Sequence, residues 1–354
     1  MAELWRRRIV HQLVAAAAPN DAVTGQALAW QKAMTRWGVD GDVYAEHIHP
    51  DLAARVRPIA EFRDDPLAVT LLRYSIWSAV AERALGVARD RLALWYHNIT
   101  PGALLSQANP QLASLCERGR RALPAVVAAA SVAVADSSFN GAELQAAGAD
   151  RVAVVPLLLD VPDAPQPPRG APQPIVLTVG RVVPNKRIED GVRALALLRR
   201  HHLPDARLVV VGSWGGFERY RTALEDFARR LDVADAVLFT GQVGDDERDH
   251  WYREAGAYIC TSEHEGFCAP LVEALAHGLP VVARAAGAVP ETVGSAGLLL
   301  PGPDATLFAE ALSAVLTDAE IRKLLGANAQ VRLVQLAPRR VEELGRSALE
   351  PLLR

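Results

Sequence analysis

Ala257-Tyr258-Ile259-Cys260-Thr261 and Leu279-Pro280-Val281-Val282-Ala283 are two apolar runs, and between them stands Glu265-Gly266-Phe267-Cys268-Ala269-Pro270-Leu271-Val272-Glu273. Short apolar runs bounded by Gly and Pro read as buried strands, and the stretch from Pro270 to His277-Gly278 reads as a helix. The whole is a strand–helix–strand unit of a parallel sheet. Pro270 suits the first helical position, where its missing N–H costs nothing. Glu265 then lies in the loop before the helix and Glu273 about one turn inside it. The helix start offers unpaired N–H groups and partial positive charge to an anion. Carboxylates beside it repel phosphate but accept hydrogen bonds from hydroxyls. That combination fits a ligand with phosphate in the middle and a polyol at each end. Glutamates also favour helix starts for the dipole alone, so a second motif has to decide.

That motif follows the strand candidate Ile175-Val176-Leu177-Thr178-Val179. The run stops at Gly180-Arg181-Val182-Val183-Pro184-Asn185-Lys186-Arg187, and residues 188–200 read as a helix with Asn185 as its N-cap. Lys186 and Arg187 fall where the helix dipole disfavours cations, which calls for an anionic partner. A bound diphosphate would be one, held by the planar fork of Arg181 and the mobile charge of Lys186.

Together these residues resemble the retaining family-4 glycosyltransferases of GT-B fold. The matching positions are Gly180-Arg181, Pro184-Asn185-Lys186, Glu189-Asp190, Val211-Gly212, Phe239-Thr240-Gly241-Gln242-Val243, Ser262, Glu265-Gly266-Phe267, Pro270, Glu273-Ala274, Gly278-Leu279-Pro280-Val281-Val282 and Pro290-Glu291. They run in order over roughly residues 175–300. The resemblance implies an α/β protein with two Rossmann-like domains facing across a cleft. It implies that Arg181 and Lys186 grip a donor diphosphate, that Glu273 holds the ribose hydroxyls and that Glu265 lies against the donor sugar. Gly180, Gly212, Gln242, Val243, Gly266, Phe267, Cys268 and Ala269 complete the expected donor site. Cys268 departs from the small Gly that many relatives carry, which bears on how closely the loop backbone approaches the sugar. The implied reaction moves a sugar from a UDP- or GDP-sugar to an acceptor hydroxyl with retained configuration. Protein cations take the place of a metal, and no cofactor is expected.

A proline-rich segment, residues 159–174, divides the chain. The expected organisation is an acceptor-binding domain over 1–158, that linker, a donor-binding domain over 175–335, and a C-terminal helix in 336–354 packing back on the first domain. Before the linker, strands at Ile9–Val14, Asp42–Ala45, Leu92–Tyr96, Ser131–Ala135 and Val152–Val155 alternate with helices such as Ala22–Trp37, which again argues a parallel sheet. Ligands bind beyond the carboxyl ends of such strands. The loops at 19–25, 97–101 and 136–140 are therefore expected at the functional edge. His97 follows a strand directly. A lone histidine is more often structural, but the resemblance implies contact with the donor sugar, making His97 a catalytic candidate beside Arg181, Lys186 and Glu265. Gly25, Asn98, Thr100, Ser138 and Asn140 are the acceptor-side candidates. Gly25 supplies the permissive backbone of the first loop, and Ser138 or Asn140 is also a candidate cap for the next helix.

Composition agrees with an enzyme of this kind and excludes others. The chain has 354 residues, 50% hydrophobic, with a net charge of −3. Its pI near 6.3 gives no electrostatic footprint for nucleic acid. Residues 1–174 hold 17 Lys/Arg and 17 Asp/Glu. The cluster Arg118, Arg120, Arg121 is too small for an anchor at about 1 kcal/mol per charge, so membrane association is not favoured and a carbohydrate or small-molecule acceptor is expected. Three cysteines without a CxxC pair fit a reduced, cytoplasmic setting. The basic start, residues 1–8, lacks the apolar run of a secretory signal. Residues 122–135 contain Pro124 and are too short to span a bilayer. Gly212-Ser213-Trp214-Gly215-Gly216 is neither a dinucleotide fingerprint nor a nucleophile elbow. Asp245-Asp246-Glu247 reads as a helix start rather than a metal site, and Trp214 and Phe217 as packing. Two other classes stay open: a GT-B epimerase or sugar phosphorylase, and a non-catalytic nucleotide-sugar binding protein.

Overall fold

The computed structural model describes residues 9–162, 166 and 173–354. The basic start 1–8 and most of the 159–174 linker lie outside the described residues. The chain divides into two compact units: Met1–Gly102 with Gln111–Asp160 and Pro338–Arg354, and Ala103–Pro110 with Val161–Ala337.

The first unit carries strands β1 (Ile9–Ala17), β2 (Val43–Ile48), β3 (Val56–Pro58), β4 (Ala68–Tyr74), β5 (Leu92–Tyr96), β6 (Val132–Ala135) and β7 (Ala153–Val154). They form a seven-stranded sheet in the order β3-β2-β1-β4-β5-β6-β7, and every pairing is parallel. Its helices are α1 (Ala22–Arg36), α2 (Ala79–Ala84), α3 (Pro110–Ala129) and α4 (Ser138–Ala146). The C-terminal helix Pro338–Leu353 contributes Val341, Leu349, Leu352 and Leu353 to a core cluster with Trp30 and Trp95. Gly345 lets that helix close down, since a Cβ there would lie 2.1 Å from the Trp30 ring.

The second unit carries β8 (Ile175–Val179), β9 (Arg207–Val211), β10 (Val237–Gly241), β11 (Ala257–Cys260), β12 (Val281–Arg284) and β13 (Gly297–Leu300). This six-stranded sheet has the order β10-β9-β8-β11-β12-β13 and is also parallel throughout. Helices α5 (Ile188–His201), α6 (Glu218–Arg230), α7 (Asp245–Glu254), α8 (Ala269–Ala276), α9 (Val289–Val293), α10 (Ala305–Thr317) and α11 (Ala319–Gln335) accompany it. Strand order reverses between β8 and β11, which makes their carboxyl ends the switch point where open parallel sheets take ligands. Among the described residues no helix is long and apolar enough to cross a membrane.

Candidate active site

The switch point of the second unit is built by glycines. Gly180 and Gly212 sit at φ 143° and φ 149°, a region that side chains rarely enter. A Cβ on Gly212 would lie 2.0 Å from the Gly180 carbonyl oxygen. Gly180 N–H donates to Val211 and Gly212 N–H to Gly241, each at 2.9 Å, so three strand ends are laced together. The Tyr258 hydroxyl fastens the end of β8 through both the N–H and the carbonyl of Val179.

Lys186 reaches over this platform, its Nζ 3.7 Å from where a Gly180 Cβ would stand. It forms a 2.6 Å ion pair with Glu265, the side chains being 23% and 9% exposed. Burial pulls the ammonium down, but Glu265 more than offsets this and holds it above the ordinary lysine range. The loops carrying the pair are stitched together. Glu263 N–H donates to the Asn185 carbonyl at 2.8 Å and Thr261 Oγ1 to the Lys186 carbonyl at 2.9 Å. The Glu265 carbonyl accepts from Ala288 N–H at 2.9 Å.

Two expectations are corrected here. Asn185 is not the cap of α5: it lies in a 3-10 turn over Pro184–Lys186, and left-handed Arg187 (φ 51°) stands at the N-cap instead. The Asn185 amide donates to the His264 carbonyl at 3.3 Å. Lys186 and Arg187 are not without local partners, since Arg187 meets Glu189, Asp190 and Glu263 at 3.3, 3.5 and 3.7 Å. The remaining cation, Arg181, is exposed. Its guanidinium lies 5.6 Å from the Phe217 ring centre, with no carboxylate partner among the described residues. Phe217 itself is buried.

Helix α8 begins at Ala269 with Cys268 as a left-handed N-cap at φ 72°. A left-handed conformation is the one glycine adopts at least cost, so the backbone here favours Gly and Cys268 holds it under strain. Phe267 is buried, and its carbonyl accepts from Thr292 Oγ1 at 2.5 Å. Glu273 accepts from the Tyr252 hydroxyl at 2.7 Å. Tyr252 is stacked on His277 at 5.0 Å. Burial, and then the charge of Glu273, push the Tyr252 phenol well above its usual value, so it remains a donor. Gln242 and Val243 follow β10, Gln242 exposed and Val243 half-buried.

In the first unit, His97 lies at the end of β5 with a side chain only 3% exposed. Its Nδ1 is 2.8 Å from Asp136 Oδ2 and its Nε2 is 3.1 Å from Arg73 Nη1. A guanidinium only donates, so Nε2 accepts and Nδ1–H donates to Asp136. Arg73 also donates to Gln12 at 2.7 Å and lies over Trp95, whose Nε1 donates to Asp136 at 2.9 Å. Burial pulls the Arg73 guanidinium down to about 9, with Asp136 opposing. Asn98 stands at φ 68° and donates to Asn140 at 2.9 Å and to Glu143 at 3.0 Å. Thr100 is half-buried and Ser138 exposed. The cap of α4 is Ser137, not Ser138 or Asn140: its hydroxyl accepts from Asn140 N–H at 3.1 Å. Gly25 lies inside α1, and the left-handed residue of that loop is Asn20 at φ 60°.

Sequence patterns pointed to neither Tyr252 nor Arg73. Tyr252 lies in a polar helix with no periodic cue, and Arg73 interrupts a strand that is buried along its whole length.

Two parallel Rossmann-like sheets in one chain are the architecture of the GT-B class. Sucrose-phosphate synthase from Thermosynechococcus elongatus shares the fold, with TM-score 0.74 and 21% identity over 97% of this chain and 98% of that one. HepE from Anabaena, solved in complex with UDP and glucose, has TM-score 0.71 and 18% identity over 97% of this chain and 100% of that one. Residues 163–332 match the model of the family glycosyl transferases group 1. A D-inositol 3-phosphate glycosyltransferase from Actinosynnema mirum is 36% identical over 222 residues, 58% of this chain and 53% of that protein. The match thus spans about half the length of that relative.

Proposed function

We propose that this protein is a retaining, metal-independent glycosyltransferase that takes a sugar from a nucleoside diphosphate donor and passes it to an acceptor hydroxyl. The observation that carries this is the Lys186–Glu265 pair over Gly180, with Arg181 exposed beside it and Glu273 held by Tyr252 at the next helix start. Arg181 and Lys186 meet the diphosphate and stabilise its charge as the sugar leaves. Glu273 accepts from the ribose hydroxyls, and Glu265 stands between the Lys186 ammonium and the sugar.

Metal independence is supported by the same cations. Among the described residues, one cluster has metal-ligand chemistry, Cys260, Glu265 and Cys268. The Lys186 ammonium already neutralises its carboxylate, so a cation fits there poorly. His97, fixed through Asp136 and Arg73, presents the end of β5 as a rigid edge. The relatives named for D-inositol 3-phosphate make phosphorylated polyols the first acceptors to assay. The even charge of residues 1–174 supports an acceptor met away from a membrane, and three unbridged cysteines support a cytoplasmic setting.

Thermal shift with UDP, GDP, ADP and TDP tests the donor class, because a ligand at 100-fold its Kd stabilises by about 2.7 kcal/mol. One nucleotide should raise the melting temperature clearly above the rest, and Arg181→Ala should abolish that gain. No shift with any of the four contradicts the proposal.

A further inference from the structure

Two of the three cysteines meet under the donor loop. Cys260 ends β11, Cys268 caps α8, and both are buried. Their sulfurs and a Glu265 carboxylate oxygen all lie within 4.8 Å of one another. Nothing in the sugar-transfer chemistry uses a thiol. The two differ in character: a hydrogen bond from Cys268, joined by Ser262 and the Lys186 charge, pulls the Cys260 thiol down, whereas Cys268, as the donor of that bond, is pushed well up. A thiolate-inclined sulfur beside a cation with a second thiol at hand is the arrangement of a redox pair.

We infer that Cys260 and Cys268 form a reversible intramolecular disulfide that weakens binding at the nucleotide site, a regulation that rests on the donor site proposed above. Hydrogen peroxide is the oxidant class small enough for so buried a thiol. The Cys260 thiolate attacks one peroxide oxygen, the O–O bond breaks, and the departing oxygen takes a proton as water, leaving a Cys260 sulfenic acid. Cys268 then attacks the sulfenic sulfur, loses its thiol proton and expels the hydroxyl as a second water. Two thiols and one peroxide thus give one disulfide and two waters. Two electrons from a dithiol reductant reverse it.

Bond formation draws the sulfurs to about 2 Å. Cys268 cannot move without the helix start it caps, and the closed ring contains Glu265, Gly266 and Phe267. Glu265 and its partner Lys186 are the groups assigned to the donor, so contraction of this ring changes the nucleotide site directly.

The test treats the full chain with hydrogen peroxide, then counts thiols under denaturing conditions, maps peptides by mass, and titrates UDP and GDP by calorimetry. The expected result is one remaining thiol, a Cys260–Cys268 peptide lighter by two hydrogens, and nucleotide affinity lower by at least about fivefold, the low end of coupling between sites. Dithiothreitol should restore it. Cys260→Ser, with Cys260→Ala as a second variant should the first fold poorly, should form no bridge and keep its affinity through peroxide. Oxidation that stops at sulfenic or higher acids, bridges between chains, or a bridge that leaves affinity unchanged would each overturn the inference. If the reduced chain binds neither of these, nor ADP or TDP, the donor assignment fails and the link to binding with it, while the thiol count still judges the bridge.

Discussion

Lys186 should behave differently from Arg181, although both are assigned to the same diphosphate. The Lys186–Glu265 pair is 2.6 Å long and its two side chains are 23% and 9% exposed. Removing one member of a buried pair costs roughly 3–5 kcal/mol, because the other is left charged and unpaired. Partial exposure of the ammonium lowers that to about 2–4 kcal/mol for Lys186→Met. At roughly 2–4 °C per kcal/mol for a unit of this size, a mid-range loss moves the melting temperature of the second unit by about 6–12 °C. Arg181→Ala removes an exposed side chain and should stay within about 0.5 kcal/mol of the parent. Both variants should lose about 10- to 1000-fold in transfer rate. The double variant Lys186→Met/Glu265→Met removes both charges and should recover most of the lost stability with none of the activity. Scanning calorimetry on the parent, these three variants and the single Glu265→Met, paired with transfer rates, separates the two roles. If Lys186→Met melts within a degree of the parent, or the double variant is as unstable as the sum of its parts, the ion pair does not hold this loop.

Other outcomes follow from single contacts. Tyr252→Phe leaves Glu273 without its 2.7 Å donor and should weaken free nucleoside diphosphate by roughly the 0.5–1.5 kcal/mol of one hydrogen bond, read by calorimetric titration. Glu273→Gln should weaken the free nucleotide, whereas Glu265→Gln should spare it and slow transfer. Gly212→Ala places a Cβ against the Gly180 carbonyl at φ 149° and should cost more than the roughly 1 kcal/mol of an ordinary Gly→Ala strain, visible as loss of folded yield. Burial lowers the pKa of His277 and of His11 below 6.5. The unfolded chain therefore takes up protons first, and stability should fall as pH drops below about 6.5. His277→Gln with His11→Asn should flatten that slope in melts between pH 7.5 and 5.5.

Local chemistry made the second unit legible: β-branched runs, Gly180, Pro270 and the two glutamates each carry their meaning within a few residues. The central strand β4 was not legible, because it is buried along its whole length and shows no alternation, with Arg73 inside it. Gly25 and Asn185 misled for a related reason: each residue type suits the expected role, but the chain adds Asn20 and a 3-10 turn that take those roles over. Partnerships were the least legible, since Lys186 and Glu265 are 79 residues apart and His97 is 39 from Asp136 and 24 from Arg73. Sequence spacing says which groups reach a sheet edge, and only the packed structure says which of them neutralise each other first.

Proton NMR on intact nucleotide sugar, with and without a phosphorylated polyol, decides whether the protein is a retaining transferase. A retaining transferase consumes donor only when acceptor is present, releases nucleoside diphosphate, and gives a product whose anomeric coupling matches that of the donor. Consumption without acceptor to give an epimer, consumption driven by inorganic phosphate, or a product of inverted configuration would contradict that proposal.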